Sequence, residues 1–361
     1  MKRLVSYNYS VNKDRIDYLD ALRTIACFAV VMLHVAALNT YNVDFQSYEW
    51  NVFMFYESVV NWAVPLFVMI SGSVMLEREY SYKVIIKKCK SIVFVFWVWS
   101  ILFLTFEIII NGITPYKNML WLQMILQGHY HMWYLIMLFG LYLIIPLIRV
   151  IVEKPVLEKA FIILSLLFAF LLPTIKDLQL MNGVKGVLQN PIVGSIYRAY
   201  NNVFEDLNYH FTVGFVTYLV IGHALAHRLV IKRRYNILLG IFFFLIGTFI
   251  TLFEIKHAHS KDAAGTFMQH YQVGILMQVC GLFFLAKELS GRKIMTYLVK
   301  ISPLTFGIYL LHPMILEILQ KMGLTSLSFN PVIAVPVIAL GIFIISGILV
   351  CVMLVLIKGF K

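Results

Sequence analysis

The sequence predicts an all-α integral membrane protein of about ten transmembrane helices, with both termini cytoplasmic. Three observations carry this. Hydrophobic residues make up 61% of the 361 and charged residues only 13%, where a soluble domain holds about 25% charged. Mean hydropathy is +0.83. Apolar windows long enough to cross a bilayer recur along the whole chain, and lysine and arginine collect in alternate connections between them.

In order, the windows fall at 18–38, 51–76, 90–110, 131–150, 156–173, 209–227, 236–255, 268–287, 299–320 and 332–357. The piece MLWLQMILQ (119–127) is too short to span and reads as interfacial or re-entrant. With the N-terminus inside, the inner segments hold 22 of the 30 Lys and Arg, and the outer ones hold seven. That bias obeys the positive-inside rule, so the net charge of +12 is mainly a topology signal and implies no nucleic-acid partner. One domain covers 1–361, with a polar N-terminal segment at 1–15 and a long outer connection at 174–208. Connections of that length are often lids or binding surfaces. No cleavable signal peptide is expected, because the first fifteen residues are polar and no small-residue cleavage pattern follows. Cys27, Cys89, Cys280 and Cys351 form no CxxC pair, which argues against a disulfide framework or a zinc motif.

The first window, DALRTIACFAVVMLHVAAL (20–38), carries charges that a membrane helix rarely keeps. Arg23 and His34 are eleven residues apart, three turns plus roughly 20°, so they share one face about 16 Å apart along the axis. Asp20 and Cys27 fall on the same stripe. Arg23 snorkelling to an Asp20 ion pair is the plain alternative to a functional role. Other ionisable groups reach similar depth to His34: Glu57 in the second window, His131 at the start of the fourth and His312 in the ninth. Glu254 ends the seventh. Such groups usually face a bundle interior or a wet cavity, so a shared cavity in the outer half is expected.

Four stretches then resemble a known family. RTIACFAVVMLH (23–34), an arginine, ten residues and a histidine, is similar to the signature of the membrane-bound acyltransferase 3 family. VPLFVMISG (64–72), YHMWYL (130–135) and FGIYLLHPM (306–314) resemble further blocks of that family in the expected order. The set is especially similar to the enterobacterial common antigen O-acetyltransferase branch, and no fused C-terminal hydrolase-like domain is expected. The resemblance implies a multi-pass protein of the cell inner membrane. It implies transfer of an acyl group, usually acetyl, from acyl-coenzyme A to a hydroxyl of a cell-surface glycan, such as an O-antigen, or its lipid-linked precursor. It also implies Arg23 and His34 as the essential pair.

The chemistry of the residue types agrees. Transfer to a hydroxyl needs a general base near neutral pH, which histidine supplies, and Glu57 is a carboxylate that could orient it. Arginine offers a permanent charge and a donor fork matched to phosphate. The partners expected are therefore acyl-coenzyme A (acetyl-coenzyme A first) as donor substrate, a glycan or glycolipid acceptor and the bilayer, with no permanently bound cofactor. Asp20, Glu57, His131 and His312 are supporting candidates. Trp133 and Tyr134 fit either an interfacial aromatic belt or a sugar platform. Ser71 and Gly72 fit close helix packing better than a nucleophile. Lys87, Lys88 and Lys90 mark topology or assist at donor phosphates. His129 with His131 and His257 with His259 form HxH pairs, but no third ligand stands at metal-site spacing, so no metal is expected. A transporter using the same charges is the reading from another class. It lacks the paired interrupted repeats of such folds.

Overall fold

The computed structural model describes residues 16–112, 120–197, 214–289 and 292–359. The N-terminal segment 1–15, part of the 174–208 connection and the start of the 209–227 window lie outside the described residues. Among the described residues the chain is helical, and the one β-bridge pairs Met181 with Ala258.

Helix α1 (Asp17–Ala37) opens with Asp17 and Asp20 in its first turn, where the helix dipole favours acidic side chains. The single window at 51–76 forms two helices, α2 (Tyr48–Val60) and α3 (Ala63–Met75). Pro65 cannot donate to the Asn61 carbonyl four residues back, and α2 ends there. The Asn61 amide instead donates to the Met268 carbonyl across the bundle. The Ser47 hydroxyl caps the start of α2, accepting from the Trp50 N–H at 3.1 Å.

Helix α4 (Tyr82–Asn111) ends at Gly112 with φ 76°, the left-handed stop that glycine adopts freely. The short stretch at 119–127 forms α5 (Leu120–Gln127). Gly128 (φ 70°) and a 3₁₀ turn at Tyr130–Met132 then lead into α6 (Trp133–Val152). His129 and His131 thus sit on irregular chain before α6.

The fifth window is a composite of α7 (Pro155–Ser165), a π-helical turn and α8 (Leu172–Asp177). The described part of the 174–208 connection is largely helical, including α9 (Asn182–Leu188). It is tied down by Asp177, which accepts from Gln272 at 2.7 Å, and by the Leu180 carbonyl, which accepts from the His259 N–H. Next come α10 (Phe215–His223), α11 (Arg233–His257), α12 (Lys261–Thr266) and α13 (Val273–Leu289). The chain closes with α14 (Lys293–Ile301), α15 (Thr305–Lys321) and α16 (Pro331–Gly359).

Eight of the ten windows fall on helical spans long and apolar enough to cross a membrane. The other two fall on α10 and on α13, whose 17 residues are just short of a full crossing.

Burial separates the centre from the periphery. Two thirds of the α1 window and 72% of the α2–α3 window are buried, against 17% for α16. Helices α4, α6, α11 and α16 turn Phe94, Leu147, Leu245 and Ile348 outward, as lipid-facing positions require. In lipid, apolar area does not drive helices together; close backbone approach does. At the α3–α10 crossing a Cβ on Gly72 would lie 2.0 Å from the Leu219 carbonyl oxygen, and one on Gly222 would lie 2.1 Å from that of Met69. Gly72 therefore packs helices, as its motif suggested. Ser71 spends its hydroxyl on the Phe67 carbonyl at 2.9 Å.

A buried polar cluster pins α7 to α10. Glu158 accepts from Arg228 Nε at 3.1 Å and pairs with His223 Nδ1 at 2.6 Å, with Glu158 and His223 each 2% exposed. The buried carboxylate is matched by the Arg228 guanidinium and by a hydrogen bond with His223.

Candidate active site

Helix α1 is unbroken between Arg23 and His34, so the two remain about 16 Å apart along its axis. At the Arg23 end, Nη1 donates to Asp20 Oδ1 at 2.6 Å, and the side chain stays 35% exposed. The same Asp20 oxygen accepts from Ser302 Oγ at 3.1 Å. Asp20 thereby fixes the guanidinium while leaving part of its donor fork uncovered. The Tyr134 and Tyr142 hydroxyls lie within electrostatic range of that charge. Lys88 Nζ sits over the Tyr80 and Tyr142 rings at 5.5 and 6.0 Å, so a second cation shares this end of the bundle.

At the other end, α1, α15 and the turn before α6 bring three of the expected histidines together. His34 Nδ1 is 3.1 Å from His312 Nε2, and the His312 and His131 rings meet edge-on at 5.8 Å. The tautomers follow from one carbonyl. His312 Nδ1 is 3.1 Å from the Ile308 oxygen, which can only accept, so that nitrogen carries the proton. In a neutral ring Nε2 must then accept, and His34 Nδ1 must donate to it. His34 is left with an unprotonated Nε2. Tyr130 Oη approaches the same His34 nitrogen at 3.4 Å, and its ring lies 5.2 Å from His34.

His34 lines a cavity of about 780 Å³ with Glu107, His129, Tyr130, Glu317 and Lys321. Its size is within the range of small-molecule sites. A cavity at the depth of His34 is what the scattered charges led one to expect, but its membership differs.

Glu57 does not orient His34. Its carboxylate accepts from Thr40 Oγ1 at 2.5 Å and is 7% exposed. Thr40 lies just past the end of α1, so this bond holds Glu57 there and not at the histidines. His131 is fully packed, with Nδ1 3.0 Å from His129 Nδ1. The two aromatic candidates diverge. Trp133 stacks on His270 at 5.7 Å, away from the cavity lining, whereas Tyr134 packs between Phe67 and Tyr309. Besides His312, the ring that meets His34 is Tyr130, which lies in the block at 130–135 but was not singled out there as a candidate.

Glu107 and Glu317 were also missed. Each is a lone carboxylate inside an apolar stretch, LFLTFEIII and MILEILQK, and that alone was the available signal. His129 Nε2 lies 2.8 Å from Glu317 Oε1 and 4.0 Å from Glu107 Oε1.

Residues 16–356 match the profile of a family described as an acyltransferase domain. No curated protein and no solved structure matches the chain. The match does not favour a transporter, and with a bundle of membrane-length helices around a histidine-lined cavity it settles the class: the chain belongs to the acyltransferase 3 family of membrane acyltransferases.

Proposed function

We propose that this protein is an O-acyltransferase of the cell inner membrane, carrying acetyl from acetyl-coenzyme A to a hydroxyl of a cell-surface glycan or its lipid-linked precursor. The resemblance to the enterobacterial common antigen branch supports an acceptor of that kind. The observation that carries the reading is the 3.1 Å approach of His34 Nδ1 to His312 Nε2, from which the tautomer of His34 follows. Its Nδ1–H is committed to His312 Nε2 and its Nε2 lone pair is available beside a cavity.

The acceptor hydroxyl oxygen attacks the thioester carbonyl carbon while His34 Nε2 takes its proton. The carbon–sulfur bond then breaks, and the departing thiolate takes that proton back, leaving an O-acyl ester and free coenzyme A. Arg23 holds a phosphate of the donor through the part of its fork that Asp20 leaves uncovered. An extended pantetheine arm is comparable in length with the roughly 16 Å rise from Arg23 to His34. Lys88 adds a second positive charge at the Arg23 end.

Purified protein with a glycolipid acceptor should consume acetyl-coenzyme A and return an acetylated lipid by mass spectrometry. His34→Ala should cut turnover about 10²–10⁴-fold, the usual contribution of a general base, while donor affinity persists. Unchanged turnover at saturation with weakened donor binding would make His34 a binding residue and overturn the assignment.

A further inference from the structure

Beside His34, three ligand-type side chains converge from separate parts of the chain: Glu107 near the end of α4, His129 in the turn before α6 and Glu317 on α15. We infer that His129 Nε2 and the carboxylates of Glu107 and Glu317 form a binding site for one divalent transition-metal ion, zinc by the chemistry of the donors.

The three donor atoms stand close enough together to meet on one ion. Ligands about 2.0–2.2 Å from a tetrahedral zinc stand roughly 3.4 Å from one another. The His129–Glu317 and His129–Glu107 separations, 2.8 and 4.0 Å, fall on either side of that edge. One oxygen or nitrogen from each of the three residues lies within 4.8 Å of the others.

The surroundings hold two of the ligands in place, as metal sites require. Asn111 Nδ2 donates to Glu107 Oε2 at 2.6 Å, and Oε1 lies 4.0 Å from His129 Nε2. The His129 ring stacks on Phe103 at 4.2 Å with a 12° interplanar angle. Its other nitrogen is 3.0 Å from His131 Nδ1. With Nε2 on a metal, His129 Nδ1–H would donate to His131, the outer-shell bond that ligating histidines ordinarily make. This gives the buried His131 a role that the proposed acyl transfer leaves unassigned.

The ligand side chains are 10–20% exposed. All three line the cavity that His34 lines. Three protein ligands with room beside them is the arrangement of zinc sites that keep a position for water or a substrate oxygen. An imidazole with two carboxylates selects zinc over calcium or magnesium, which take oxygen ligands. The site does not depend on the acyltransferase reading and is tested by binding alone.

The full chain, purified in detergent with any affinity tag removed and stripped with chelator, is titrated with zinc chloride by calorimetry. One equivalent should bind. His129→Ala and Glu317→Gln should each weaken binding at least tenfold, and Asn111→Ala by less. His34→Ala and Lys321→Ala, which line the cavity but supply no ligand, should leave it unchanged. Zinc should raise the unfolding temperature of the parent protein but not of the His129 and Glu317 variants, and their unfolding transitions without zinc will show that they fold. No binding to the parent protein, or equal binding by folded His129→Ala and Glu317→Gln, would reduce the trio to an ion-pair cluster and overturn the site.

Discussion

His312 Nε2 lies 3.1 Å from His34 Nδ1, and its own Nδ1 is committed to the Ile308 carbonyl. His312 thus decides which nitrogen of His34 bears a proton, an indirect role that predicts a distinctive mutational pattern. His312→Ala should lower kcat about 10²-fold, the lower end for losing a general base, with little change in donor KM. His312→Gln, whose side-chain oxygen can still accept from His34 Nδ1–H, should recover part of that loss. Equal turnover of the two variants would mean that His312 matters by volume alone.

Arg23 separates charge from geometry. Arg23→Lys keeps the positive charge but loses the planar fork, so donor KM should rise or turnover fall while the protein accumulates normally. Arg23→Ala should be worse by a further factor of about 10–10², matching the 1.5–3 kcal/mol of a charge-assisted hydrogen bond. Steady-state kinetics against acetyl-coenzyme A measures both. Wild-type acetylation by a well-expressed Arg23→Ala protein would remove the anchoring role.

The α3–α10 crossing predicts a stability effect remote from the chemistry. The Cβ of Gly72→Ala would meet the Leu219 carbonyl oxygen at 2.0 Å, a backbone group that cannot rotate aside. Overpacking of this kind typically costs about 1–3 kcal/mol. Gly72→Ala and Gly222→Ala should each lower the unfolding temperature in detergent. The double variant should fall by less than the sum, since one separation of the helices relieves both clashes.

Sidedness is the prediction that charge bias makes. If the lysine- and arginine-rich connections are cytoplasmic, the donor arrives at the Arg23 end of α1 and the cavity beside His34 opens toward the opposite leaflet. In sealed, oriented vesicles, acetyl-coenzyme A on the cytoplasmic face should then acylate a non-permeant acceptor supplied only to the other face. Acylation only when both substrates share the cytoplasmic compartment would reverse this arrangement.

The sequence by itself determined the membrane class, the succession of helices and the shared stripe of Arg23 and His34. Each is a local property: composition over some twenty residues, or the 3.6-residue period along one helix. Tertiary structure decided what meets His34. His312 reaches it across 278 residues of chain and Tyr130 across 96. Glu57, level with His34 in depth, turned instead to Thr40. The break at Asn61 lies inside what reads as one span, because a long apolar window does not register that Pro65 withdraws a single donor. The trio of Glu107, His129 and Glu317 was the least legible. No spacing rule links ligands drawn from α4, a turn and α15; only the packing of those elements against one another brings them into one cavity. Depth in the membrane can be read along a chain, but lateral neighbours are set by which helix faces fit together.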